Sequence, residues 1–373
     1  KGVFLSFPLL AADCSINYGQ DTTISADCDG FELERQLDFD ITIINGVSLT
    51  DDVGGLVIDL AIFNMTGTLI NNGSVATIQN DAITFAGGAT NSIINNGTIA
   101  AESNTLNIDG GGNLIRFENT GIMSASTIAT VNVSNLSELT TFINSGNISA
   151  LAQTIFLDGG TITTLNNSGT ISSSGDTIDN FAGTLTTLLN SNTISSNGGV
   201  AVSNNNAATM SLINNSGTIR SETADGISNW NSTITTLTNS GTIQSDNLDA
   251  INNRNGTINT LTNTGTISAT NIVFRDINNT GIIGTLINSQ GGNDALTYTG
   301  TLPNAYYIVI NSKSNYGKVE FSETLSSMTF NIHTSSTLIA NTTYADVING
   351  LQTDDITESS GTYISSTGDT YEW

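Results

Sequence analysis

Between residues 29 and 297 the chain contains no proline, tyrosine, cysteine or lysine. Cations are scarce throughout: 8 Lys+Arg stand against 33 Asp+Glu in 373 residues, a formal net charge of −25. A nucleic-acid partner is excluded, because phosphate binding needs clustered Lys and Arg to displace counterions. Docking to anionic lipid is excluded on the same ground. With 38% hydrophobic and only 11% charged residues, the chain lacks the composition of a disordered segment. Two prolines beside 37 glycines exclude collagen-like and proline-rich classes. No apolar run reaches the ~18 residues that a membrane-spanning helix requires.

What is present divides the chain into four stretches. The first twelve residues, KGVFLSFPLLAA, are apolar, begin with Lys1 and end in small residues. They read as the tail of a secretory signal peptide cleaved after Ala12; the alternative is a short buried strand. Residues 13–55 hold Cys14 and Cys28 and form an N-terminal cap. Residues 56–291 are compositionally uniform, and residues 292–373 hold seven of the eight tyrosines. An even cysteine count in an exported chain favours a Cys14–Cys28 disulfide, closing a loop of about 15 residues for about 3 kcal/mol. A zinc site is the weaker reading, since two sulfurs without a neighbouring histidine do not complete the shell.

One motif recurs through the middle, from LINNGSV (69–75) and IINNGTI (93–99) to LTNSGTI (237–243), LTNTGTI (261–267) and INNTGII (277–283). Its fifth residue is Gly73, Gly97, Gly121, Gly146, Gly169, Asn192, Gly217, Gly241, Gly265 and Gly281. The spacings are 24, 24, 25, 23, 23, 25, 24, 24 and then 16. A fixed period in this range signals a solenoid. Four residues before the glycine and two after it, every copy is apolar. Two before it, every copy is asparagine: Asn71, Asn95, Asn119, Asn144, Asn167, Asn190, Asn215, Asn239, Asn263 and Asn279.

The local period is two and β-branched residues abound, so the units are strands. Upstream strands such as GTITTL (160–165) and shorter segments such as GDTI (175–178) supply two more per repeat. Asparagine followed by glycine suits a bend where positive φ is tolerated. The expected fold is all-β: a right-handed parallel β-helix of about 24 residues per turn, capped at both ends. Stacked turns lie about 4.8 Å apart, so each asparagine amide can donate to one neighbour and accept from the other.

Tandem L-x-N-S/T-G-T-I-S repeats interleaved with D-A-I-x-N resemble the passenger domains of bacterial autotransporters and related large surface adhesins. The resemblance covers about residues 65–290. Beyond it, LTYTGTLPNAYYIVINSKSNYGKVEF (296–321) resembles the segment that closes such passengers. It implies export across the outer membrane, display at the bacterial surface or secretion, and adhesion to cell-surface or glycan ligands or self-association. The family's C-terminal β-barrel would need many alternating ~10-residue strands, which do not follow within these residues.

Candidate sites are few. Asp81, Asp176, Asp225 and Asp249 hold equivalent places, and Asp225 and Asp249 are one repeat apart. Either they share Ca²⁺ or each caps a bend through its own backbone. Asp294, in GGNDAL (291–296), belongs to a single calcium-repeat-like string, which cannot form the stacked site alone. Thr161/Thr163, Thr184/Thr186 and Thr233/Thr235, with Thr257/Asn259, form an outward array, either an ice-binding pattern or a solvated β face. Catalysis finds no support: Arg116, Arg220, Arg254 and Arg275 fall in different columns, and His333 has no evident nucleophile. The expectation is a non-enzyme without cofactor, Ca²⁺ excepted, acting as adhesin or scaffold. The alternative is a self-assembling filament subunit, with a carbohydrate-active enzyme or an ice binder behind it.

Overall fold

The computed structural model describes residues 14–16, 20–29, 31–32, 39–51, 57–60, 65–271, 273–292, 294–322, 326–358, 360–365 and 367–373. The expected leader, residues 1–12, lies outside them, as do residues 33–38 of the expected cap. The described residues wind into a parallel β-solenoid of three sheets. The first has 15 strands, from Thr22–Ile24 to Ile356–Glu358. The second has ten, from Ser48–Asp51 to Thr266–Ala269, and the third fourteen, from Phe31–Glu32 to Ile348–Asn349. At one strand per coil, fourteen steps in the first sheet make a rod of about 67 Å. Among the described residues the helical element is one 3₁₀ turn, Thr353–Asp355, and no helix is long and apolar enough to cross a membrane.

One coil shows how the sequence folds. Thr161–Asn167 lies in the first sheet, Thr170–Ser173 in the second and Ile178–Phe181 in the third. Ile162, Leu165, Ile171 and Ile178 point inward and are fully buried, each stacked on its counterpart one coil away. No single coil could bury these side chains alone, so the coils stabilise one another. Thr163 and Thr164 both face outward, which marks a bend inside the strand.

The recurrent glycine, replaced by Asn192 in one copy, has a different cause from the one its sequence suggests. None of Gly73, Gly97, Gly121, Gly146, Gly169, Gly217, Gly241 or Gly265 has positive φ. Instead, a Cβ on Gly241 would lie 2.0 Å from the carbonyl oxygen of Gly217 in the preceding coil, and one on Gly121 2.0 Å from that of Gly97. The column is glycine because two backbones meet there. Positive φ belongs to the bend between the third and first sheets, at Gly159, Ala182, Asn231 and Asn255.

The nine asparagines from Asn71 to Asn263 form the expected ladder, each Nδ2 donating to the Oδ1 of the next coil at 2.7–2.9 Å. Asn279 does not belong to it. Asn263 instead donates to Asn288 at 3.1 Å, and Asn279 pairs with Asn253 in the third sheet. The spacing of 16 arises because the string N-T-G serves two corners of the coil: Gly281 packs on the Gly256 carbonyl as Gly265 packs on that of Gly241.

The sheets continue across residues 56 and 292. Cys28 pairs with Leu49 beside the second sheet, so the Cys14–Cys28 disulfide fastens a first coil of the solenoid itself. The second sheet stops at Thr266–Ala269, where the Gln290 carboxamide replaces a strand: its Oε1 accepts from the Ile267 N–H at 2.8 Å and its Nε2 donates to the Ile267 carbonyl at 3.0 Å. This covers part of an edge that would otherwise invite pairing. Beyond it the coils have two sheets and a lumen filled by Tyr298, Tyr306 and Phe321, with ring centroids 5.2 and 6.3 Å apart. The antiparallel pair Thr362–Ile364 and Thr370–Glu372 closes this end, Trp373 packing edge-on against Phe330. The aromatics of this region thus fill broadened, two-sheet coils.

Candidate functional site

The polar chemistry of the rod gathers on the third sheet. Two positions before its first inward residue runs the column Asp81, Asn104, Ala129, Gln153, Asp176, Val200, Asp225, Asp249 and Arg275. Asp81 Oδ1 accepts from the Asn104 N–H at 2.8 Å, Asp176 Oδ1 from that of Val200 at 2.7 Å, Asp225 Oδ1 from that of Asp249 at 3.2 Å, and Asp249 Oδ1 from that of Arg275 at 3.0 Å. The second oxygens of Asp225 and Asp249 accept from the Asn252 and Asn278 amides, at 3.0 and 2.9 Å. The donor therefore comes from the following coil, not from the aspartate's own bend. These carboxylates tie coil to coil.

Burial shifts several of them. Asp225 is pushed up to about 6, mainly by desolvation, with the Asp249 charge adding and the Asn252 and Asp249 donors opposing. Asp179 is raised to about 6 by burial and the Asp176 charge. Asp276 reaches about 6 by burial, although the Thr297 and Ala269 N–H groups both donate to it at 2.7 Å. Asp176 and Asp109 are also raised, again chiefly by burial.

Of the calcium candidates, Asp225 and Asp249 are adjacent with all four oxygens hydrogen-bonded, and Asp294 sits exposed on the turn before Leu296. Among the described residues no three His, Cys, Asp or Glu side chains converge as a metal site.

A second ladder, outside the ten-copy motif, lines five successive strands of the third sheet. Asn180 donates to Asn204, Asn204 to Asn229, Asn229 to Asn253 and Asn253 to Asn279, at 2.7–2.9 Å. It ends when Asn279 donates to the Tyr298 hydroxyl at 2.9 Å, which donates to the Thr301 carbonyl at 2.6 Å. The signal was present as an apolar-x-Asn triplet in five successive coils: IDN, VSN, ISN, INN and INN.

The basic residues do not converge. Arg116 pairs with Glu118, Arg220 with Glu222 and Asp246, and Arg254 lies 5.7 Å from the centre of the Trp230 ring. His333 hydrogen-bonds Ser335 and meets Tyr307 edge-on. On the first sheet, the outward positions of the five strands from Thr161–Asn167 to Thr257–Asn263 carry no charge at all. No protein-family model matches the chain, and neither the curated proteins nor the solved structures include a significant match.

Proposed function

We propose that the chain is a non-catalytic rod, exported to the bacterial surface or beyond, that acts in adhesion or as an extracellular scaffold like the autotransporter passengers its repeats resemble. One observation carries this reading. The uniform coils commit their inward aliphatic side chains to a continuous core and their ladder asparagines and column aspartates to bonds between coils, leaving the sides of the rod as the surfaces on offer. The disulfide accords with an oxidising, extracellular setting. The uncharged flank of the first sheet favours a second reading, a filament subunit, because like-charged rods can approach one another there.

The test coats beads with the purified chain and measures attachment to cells and to surface glycans. Saturable attachment, competed by soluble chain, is expected. Attachment no greater than to albumin-coated beads would sink adhesion, ordered polymers in the electron microscope would favour the filament, and depolymerisation of a polysaccharide would overturn the non-catalytic reading.

A further inference from the structure

Within residues 65–271 the aromatic side chains are Phe85, Phe117, Phe142, Phe156, Phe181 and Trp230. The first three are inward and fully buried; the others face outward, all on the third sheet. Phe181 and Trp230 end their strands at the corner leading to the first sheet, 40% and 50% exposed. They are two coils apart, with Asn205 between them and Arg254 beyond. Two coils before Phe181 that column holds Ser134, and Leu136, two residues further on at the same corner, is 85% exposed. Phe181 and Trp230 thus stand about 9.6 Å apart in one column, with Asp158, Asn205 and Arg254 at the coils before, between and after them.

The backbone of this corner is an independent sign. Leu136, Ala182 and Ala207 have φ of 67°, 56° and 63°, where other coils use glycine or asparagine. An L-residue with a Cβ is strained in that region, by about 1–2 kcal/mol. Leu136 gains no compensating burial, and strain of this kind collects at functional sites. Two exposed aromatic side chains aligned in one column of an acidic rod also mark an interaction site.

We propose that this corner binds an extended, uncharged β-linked polysaccharide running parallel to the solenoid axis. In such a chain every second ring presents the same face, and that disaccharide repeat is close to the two-coil spacing of Phe181 and Trp230. The apolar side chains lie under the C–H faces of alternate rings, while Asp158, Asn205 and the Arg254 guanidinium bond hydroxyls between them. The net charge of −25 disfavours acidic polysaccharides. This rests on the adhesion reading and narrows it to a ligand class.

The experiment is affinity electrophoresis of the full chain in gels containing hydroxyethylcellulose, glucomannan, the β-1,3-glucan laminarin or acidic polygalacturonate. Retardation by hydroxyethylcellulose or glucomannan is expected, and none by polygalacturonate. Trp230→Ala and Phe181→Ala, with wild-type circular dichroism and melting, should each weaken retention at least tenfold, and Trp373→Phe should not. Absence of retardation by either β-1,4-linked polymer, or wild-type retention by Trp230→Ala, overturns the proposal. So does self-association of the wild-type chain that Trp230→Ala abolishes, which would make the corner a contact between copies. If bead adhesion survives in Trp230→Ala/Phe181→Ala, adhesion stands and this site alone falls.

Discussion

The coils up to Leu157 and those from Ser173 to Asn279 have one shape but use different atoms inside. In the third sheet the inner column runs Phe85, Ile108, Val133, Leu157 and then, in unbroken register, Asn180, Asn204, Asn229, Asn253, Asn279. The last inward position of the second sheet changes over the same interval, from Ala101, Ala125 and Ala150 to Ser173, Ser196, Ser221 and Ser245. Hydroxyls change sides with it. In the earlier coils Thr105, Thr130 and Thr154 donate to second-sheet carbonyls at 2.6–2.9 Å. In the later ones Ser221 and Ser245 donate to the carbonyls of Gly199 and Ala224, at 2.7 and 2.6 Å. A solenoid interior accepts either an apolar stack or a polar one, provided each polar atom meets a partner in the next coil. At the junction this condition fails: Asn180 Oδ1 is buried without a hydrogen bond, its neighbour below being Leu157.

Four measurements of stability bear on that contrast. The largest expected loss is for Val133→Asn, which places a lone amide in the apolar half; about 3–5 kcal/mol should disappear in urea unfolding. A loss under 1 kcal/mol would show that ladder partners are irrelevant. Asn229→Leu, in mid-ladder, orphans the Asn204 amide N–H and the Asn253 carbonyl, and should cost about 2–4 kcal/mol.

Acidity should act next, and mainly on the later coils, where Asp179, Asp225 and Asp276 lie. Their folded pKa values, near 6, exceed the ordinary carboxylate value, so their contribution is fully present below about 4 and is lost as pH rises through 6. The chain should therefore melt higher at pH 5 than at pH 7.5, by about 1–2 kcal/mol per group, and Asp225→Asn should reduce the difference. A melting point that falls on acidification would contradict this. Asn180→Leu should be the mildest, under about 1 kcal/mol, because it moves the orphan oxygen one coil onward to Asn204 without adding another. A cost equal to that of Asn229→Leu would mean that the junction carries no frustration.

Much of this was legible in the order of residues. Leu165, Asn167 and Ile171 repeat their types at fixed offsets because each stacks on its own kind, so the coil length, the strands and the first ladder follow from periodicity. The second ladder was hidden: its Asn180 column spans five coils, and its last member, Asn279, sits in a string matching that of another corner. The inter-coil role of Asp225 was hidden for a related reason, its donor being the Asp249 N–H a full coil away.

By itself, then, the sequence determined the repeat, its strand character and the acidic balance, because these depend on residue type and on spacing within one coil. Tertiary structure decided which repeats share a column, why glycine lines the backbone contact, and which side chains are left on the Leu136–Phe181–Trp230 corner. Those outcomes depend on what lies directly above and below each residue, and vertical neighbours exist only once the coils have stacked.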